Sequence, residues 1–470
     1  MPGAPADPIR RRVLLAGLGA VAFASVAPAC SSDSAESDGG SEGDDASSRP
    51  SDSIPQPSGF VRSNWSQDPS ALGAYSFLPV GATPERRDAL AAPVAGVLFF
   101  AGEATWRANP STVHGAQASG AAAAEAVSRT ATDRLDVVVI GAGVAGARAA
   151  ADLDAAGHRV IVVESQATVG GRTRTVRPEG WPVPIELGAS WVHDIDASDL
   201  ADQLDASTVE FDYRSAVLAT DGERLPGTAT DAGAATAVDD ALAWAEEQPG
   251  DRSLAQAIEQ SGSARGVDPA LLAHFLRTEV STEYGADADE LSAWWGDEGT
   301  EGDDLLVTGG YVTLAEHDLR PIDVRYGWTA ATVAIEDDAV AVTSASGEVL
   351  RADRVVVTVP LGVLQAGTIA FTPALPAATQ AAIDGLGVAL LDKVWLRWDE
   401  PWWNEEAEQW TLVADDEPYG EWFNLQGATG EPVLLGLIGG QAARDQAGRS
   451  DDDVLASCLR ALQRFADASW

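Results

Sequence analysis

The stretch "LDVVVIGAGVAGARAAADLDAAGHRVIVVE", residues 135–164, decides the fold. An apolar Val/Ile run stops at Gly141-x-Gly143-x-x-Gly146, an Ala-rich segment with helical spacing follows, and a second apolar run ends on Glu164. Strand, glycine turn, helix and strand in this order predict a dinucleotide-binding unit. Its glycines permit a tight turn, let a pyrophosphate approach the backbone and bring helix against strand, while the helix N-terminus supplies positive potential. Glu164 falls where a carboxylate accepts the ribose hydroxyls.

Working outward, the alternation continues. "GVLFFAGE" (96–103) reads as a strand and "VHGAQASGAAAAEAVSR" (113–129) as a helix, followed by strands at 135–143 and 159–164 around a helix at 144–157. That spacing implies a parallel sheet with right-handed crossovers. Residues 198–300, rich in Ala, Leu and acids, read as a helical insertion, and strand-like blocks follow at 342–360, 393–403 and 432–440. No motif repeats.

The bulk properties narrow the function. A net charge of -42 over 470 residues argues against nucleic acid or an anionic membrane face as partner. Two cysteines, Cys30 and Cys458, cannot build a disulfide framework, and five histidines without a cysteine cluster point to no metal site. The basic residues are almost all Arg, and the single Lys is Lys393. Arg cannot replace the compact, deprotonatable ammonium of Lys, so this position invites a chemical role.

Residues 10–30, "RRRVLLAGLGAVAFASVAPAC", have a basic start, an apolar run of signal-peptide length and small residues before Cys30. Arg10-Arg11 resembles a twin-arginine export signal and Ala27-Pro28-Ala29-Cys30 a lipoprotein box; Ala27-x-Ala29 equally suits an ordinary signal peptidase. An exported protein is expected, secreted or held at the surface, with a lipid on Cys30 as its only membrane attachment. Residues 31–58 have almost no large apolar side chain and read as an acidic, Ser-rich disordered linker, with the folded part beginning near Phe60.

"SQATVGGRTRT" (165–175) directly after Glu164 places Gly171 and Arg172 where FAD enzymes pass the chain beneath the pyrophosphate. With "IELGASWVH" (185–193), the region from Val137 resembles the amino-terminal FAD region of the flavin amine oxidases, the family of monoamine oxidases, polyamine oxidases and flavin histone demethylases. "TGGYVTLAE" (308–316), "TVAIE" (332–336), "VVVTVPLGVL" (355–364), "FTPALP" (371–376) and "KVWLRWDEPWW" (393–403) continue it in family order. "NWSQDPSALGAYS" (64–76) and "FAGEATWRANPSTVHGAQASG" (100–120) resemble that family's carboxy-terminal end, yet stand first. The order reads as a circular permutation, with a mis-joined gene model as the alternative. A short 130–134 connection between a surface helix and a strand is a site where such a junction is tolerated.

The resemblance implies an α/β fold: a Rossmann-like FAD-binding domain of the GR2 type, interleaved with an α+β substrate-binding domain. The expected divisions are an export signal (1–30), the linker (31–58), a relocated FAD segment (59–131) and a Rossmann segment (132–200). The helical part of the substrate domain (201–300), a further FAD segment (301–368) and the substrate sheet and helix (369–470) follow.

It further implies FAD-dependent oxidation of an amine by hydride transfer, with oxygen reduced to hydrogen peroxide. An L-amino-acid oxidase, which needs a cavity Arg for the carboxylate, and a non-catalytic surface FAD protein are the alternatives. Lys393 aligns with the family lysine holding a water against the flavin, Tyr75 with one wall of an aromatic cage, and His193 with chain beside the flavin. Thr112 occupies the second wall, leaving that cage incomplete. Glu103, Val113, Gly188 and Ala189 are implied flavin contacts, Val333 an adenine contact, and Trp403 a cavity wall. Small-molecule amine and oxygen are the expected partners.

Overall fold

A computed structural model describes residues 54–193, 199–204, 207–211, 213–218, 222–225, 227–299, 303–337, 339–414 and 417–468. The export segment, Cys30 and most of the linker therefore lie outside the described residues. Along the chain run β1 (Gly59–Arg62), β2 (Ser76–Phe77), α1 (Glu85–Ala91), β3 (Leu98–Phe100), α2 (Val113–Arg129), β4 (Asp136–Ile140), α3 (Val144–Ala155) and β5 (Arg159–Val163). After these come β6 (Ser215–Leu218), β7 (Asp323–Arg325), β8 (Arg354–Val357), β9 (Leu391–Arg397), β10 (Gln409–Leu412), β11 (Glu421–Asn424), β12 (Val433–Gly439) and α4 (Asp451–Asp467).

The first layer is a parallel sheet in the order β7-β5-β4-β8-β3. Alternation along its strands builds two cores. Phe99, Val137, Val139, Val162 and Val356 pack against the alanines of α2 and α3. Leu98, Phe100, Val138, Ile140 and Val355 pack on the other face, against a four-stranded sheet formed from residues 330–372. Small residues let α2 and α3 approach closely: a Cβ on Gly120 would lie 2.2 Å from the Ala145 carbonyl oxygen. All carboxyl ends of the parallel strands then open on one edge, where such sheets bind ligands.

The second sheet runs β1-β9-β12-β11-β10-β6, with the strand Arg224–Leu225 at its edge. Val394 and Leu396 of β9 face a core closed by α4, whose Val454, Cys458, Ala461, Leu462 and Phe465 follow the helical period. By the two-residue repeat, Lys393 and Trp395 face the opposite side, toward the parallel sheet's open edge.

Two expectations change here. The 198–300 segment is not purely helical: the β-branched and aromatic runs around 208–218 form strands, and β6 joins the substrate sheet in parallel with β10. Among the described residues packing reaches back to Ile54, ahead of the expected Phe60. Ile54 is buried in the α4 core and its N–H donates to Gln463 Oε1 at 2.9 Å, while Trp398 Nε1 donates to the Pro55 carbonyl at 2.8 Å. One isoleucine in a polar stretch was too weak a signal. The start of the packed chain thus lies beside its final helix.

Candidate active site

A single cavity of about 1150 Å³ runs from the carboxyl edge of the parallel sheet to the face of the second sheet. That volume exceeds the range for one drug-sized ligand, and suits a dinucleotide plus a small substrate.

At the sheet edge the glycine turn has the geometry its sequence implies. Gly141 adopts φ +108°, and a Cβ on Gly146 would lie 2.0 Å from the Gly141 carbonyl oxygen, so Gly146 sets the helix–strand distance instead of lining the cavity. Gly143, Gly171 and Arg172 do line it. Glu164 Oε2 accepts from the Ala142 N–H and Oε1 from the Gln166 N–H, both at 2.8 Å, which fixes the carboxylate at the mouth. Val113 and Thr112 stand at the start of α2, where the Thr112 hydroxyl accepts from the Gly115 N–H at 2.9 Å as the helix cap. The glycine crevice, the fixed carboxylate and two helix N-termini together fit a dinucleotide cofactor.

Glu103 comes to the same edge in an ion pair. Its Oε1 accepts from Arg172 Nη1 at 2.9 Å and its Oε2 from Ser76 Oγ at 2.6 Å. Burial raises its pKa, but the Arg172 and Arg87 charges outweigh that and hold it below the usual range.

Lys393 sits on the floor. Its Nζ donates to the Gly188 carbonyl and to Ser190 Oγ, each at 2.6 Å, and lies 5.0 Å from the Trp191 ring centroid. Ala189 lines the cavity between those partners. Burial pulls the Lys393 pKa down to about 7, against the attraction of Glu186. Glu186, beneath the same turn, is pushed up to about 7 by burial, against hydrogen bonds from Thr175 and Tyr311.

An acidic wall lines the same cavity. His193 Nδ1 is 3.0 Å from Asp304 Oδ2, which also accepts from the Tyr213 hydroxyl at 2.8 Å. Burial disfavours the His193 imidazolium, but Asp304 more than compensates and raises its pKa. Glu283 is enclosed by protein yet turned to the cavity, with its pKa raised by burial and by Asp304 against the pull of His193. Glu421 is pushed up to about 7 by burial, with Gln409 and Thr282 opposing and Glu283 adding. The Tyr75 hydroxyl donates to the Glu283 carbonyl at 2.7 Å, which fixes its ring in the wall.

Strand register aligns the floor. Lys393 pairs with Leu437, Leu437 with Glu421, Glu421 with Thr411 and Thr411 with Val217, and all five line the cavity. With strands about 4.8 Å apart, Glu421 stands about 10 Å from Lys393 at the backbone.

Two sequence-derived positions do not belong to the site. Trp403 is buried behind the second sheet, edge-to-face with Trp398 (5.6 Å), Trp402 (5.3 Å) and Trp410 (5.7 Å), and does not line the cavity. The chain after β9 turns toward α4, and a flat aromatic that buries a large area is retained there. Val333 is buried mid-strand, opposite Val342 on one side and Phe371 on the other. Thr329 and Ala330, earlier in the same Ala/Thr/Val run, line the cavity instead. Sequence reasoning also missed Ser76, Arg87, Tyr213, Glu283, Asp304 and Glu421. Of these only Glu421 left a signal, a lone carboxylate inside "YGEWFN".

Residues 46–128 and 144–469 match the family model described as flavin containing amine oxidoreductase. The chain belongs to that family. It is an FAD-dependent amine oxidoreductase. Among its relatives, Polyamine oxidase 2 of Arabidopsis thaliana is 31% identical over 358 residues, spanning 70% of this chain and 72% of that protein. Polyamine oxidase 4 of Oryza sativa subsp. japonica is 29% identical over 355 residues, with the same coverage. A solved putrescine oxidase bound to putrescine aligns with a TM-score of 0.58 over 72% of this chain and 83% of its own, at 21% identity, a likeness of fold. Flavin amine oxidoreductase chemistry accounts for a cavity with a nucleotide crevice at one end and a buried lysine at the other.

Proposed function

We propose that this flavin amine oxidoreductase acts on diamines or polyamines, with oxygen as the final acceptor and peroxide as product. One observation carries the reading: Glu283, Asp304 and Glu421 line the same cavity as Lys393, where Asp304 raises the pKa of Glu283 and Glu283 that of Glu421. Clustered carboxylates are stabilised by a cation, and an ammonium group relieves their repulsion. The polyamine and putrescine oxidases among the similar proteins support it. The cavity does not favour an amino acid. Among the described residues the arginines lining it are Arg172, tied to Glu103, and Arg174, tied to Asp68 at 2.7 Å, both on the nucleotide side.

Bound FAD supplies the two-electron acceptor that no side chain provides. Gly141, Gly143 and the α3 N-terminus hold its pyrophosphate, Glu164 its ribose, Thr329–Ala330 the adenine edge, and the α2 N-terminus at Val113 stabilises negative charge on the ring. Glu421 and Glu283 hold the ammonium remote from the reacting carbon, while the Tyr75 ring forms the wall that orients it. The His193–Asp304 pair takes the proton that the reacting ammonium must lose. Near neutral pH, Lys393 donates its protons to Gly188 and Ser190 and keeps a lone pair for a water at the floor.

The chain order is a circular permutation of a GR2-type arrangement; the permutation is supported by Ile54 bonding Gln463 and by Arg62 Nε pairing with Asp451 at 2.7 Å, which bring residues 54–62 onto α4. Residues 10–30 direct export, with or without a lipid on Cys30, and the mass of the mature N-terminus tests this. Peroxide release from FAD-loaded protein given putrescine, spermidine, benzylamine and L-leucine tests the substrate class. Preference for the first two is expected; preference for L-leucine overturns it.

A further inference from the structure

Arg87 of α1 is wholly buried, away from the cofactor turn and outside every motif above. Its guanidinium grips Glu298 with both arms, Nε to Oε1 at 3.2 Å and Nη2 to Oε2 at 2.6 Å. The remaining nitrogen, Nη1, donates to Ser76 Oγ at 2.6 Å. That hydroxyl in turn donates to Glu103 Oε2 at 2.6 Å, and Glu103 Oε1 accepts from Arg172 Nη1 at 2.9 Å. Glu298, Arg87, Ser76, Glu103 and Arg172 thus form one buried line of alternating charge. It joins residue 298 of the substrate half to residue 172 of the nucleotide half through three residues of the 59–131 segment.

Glu298, Ser76, Glu103 and Arg172 all line the cavity; Arg87 is the member behind the wall. A guanidinium can serve three oxygens in one plane, which a lysine ammonium on its flexible stem cannot match. Removing one member leaves its direct neighbour with an uncompensated buried charge, so adjacent members are coupled.

We infer that Arg87 is a positioning residue that holds the Glu103–Arg172 pair in place for FAD through Ser76, and the 296–299 cavity wall in place for substrate through Glu298. The two branches meet at its guanidinium, whose Nη1 also donates to the Ala104 carbonyl at 3.4 Å. Glu103 loses its hydroxyl donor when Ser76 is truncated, whereas the Glu298 grip survives.

The test uses FAD-loaded Arg87→Lys, Ser76→Ala, their double variant and Glu298→Gln, with folding followed by far-ultraviolet circular dichroism. The FAD dissociation constant is read from the fluorescence of released FAD. Ser76→Ala and Arg87→Lys each weaken retention about 10-fold, and the double variant stays within about 2-fold of the weaker single, because both break one connection. Glu298→Gln keeps FAD retention within about 2-fold while raising the putrescine KM about 5-fold. Unchanged FAD retention in Ser76→Ala, additive losses of about 100-fold in the double variant, or loss of FAD in Glu298→Gln each overturns the inference. If Arg87→Lys does not fold, Ser76→Ala against Glu298→Gln decides alone. Only the KM arm rests on the diamine reading, so an inactive protein with the expected FAD pattern faults the substrate and not the positioning role.

Discussion

Lys393 makes the enzyme less stable than a neutral side chain there would. Its folded pKa of about 7 lies below the 10.5 of an exposed lysine, so the folded state binds fewer protons between those values and stability rises with pH across them. The cost is full below about pH 7 and gone above 10.5. Lys393→Met, FAD-loaded, is therefore expected to melt higher than wild type at pH 6, by a margin that shrinks by pH 10, while turnover falls at least about 10-fold. Thermal scans at both pH values and peroxide assays check this. At the acidic wall, Glu283→Gln should raise the KM for putrescine about 10-fold, about 1.4 kcal/mol, with little change for benzylamine, which has no second ammonium. Trp403→Phe should lose about 1 to 3 kcal/mol in denaturant unfolding and leave KM unchanged, as its packing behind the sheet implies. Lys393, Tyr75, Glu164 and Arg172 were legible because each stands in a motif. Glu283, Asp304 and Tyr213 were not, since their partners lie far along the chain, as with Tyr213 and Asp304, 91 residues apart.

The β4–α3–β5 unit is the element most fully written in sequence, because strand alternation, three glycines and the closing carboxylate all agree. Its weakest tolerance is Gly146, where any Cβ meets the Gly141 carbonyl oxygen at 2.0 Å. Gly146→Ala should push α3 off β4 and cut FAD retention at least about 10-fold, measured by absorbance of the purified protein. Thr332–Glu336 shows the opposite case: several residues of "TAATVAIE" fit one strand pattern, and Thr329–Ala330, not Val333, line the cavity. Periodicity fixes which face a residue takes, but not how far along the strand the cavity begins. The π-helical turn Leu276–Ser281, which precedes Glu283 and puts Thr278 and Glu279 on the cavity, has no pattern of its own in the sequence.

At the scale of the molecule, two sheets share one cavity, and the segment proposed to be relocated supplies β1 of one and β3 of the other. If the order is a permutation, joining Ala468 to Ile54 with a short Gly/Ser linker and opening the chain between Ala131 and Arg134 should give a protein that binds FAD and turns over within about 3-fold of the original. A misfolded product contradicts the permutation. As proposed, an amine held against the acidic wall reduces FAD at the glycine crevice. Anaerobic addition of putrescine to the purified yellow protein tests it most directly. Bleaching of the flavin absorbance, saturable and weakened about 10-fold in Glu283→Gln, is the predicted result; protein that purifies without flavin, or flavin that putrescine and spermidine leave oxidised, contradicts it.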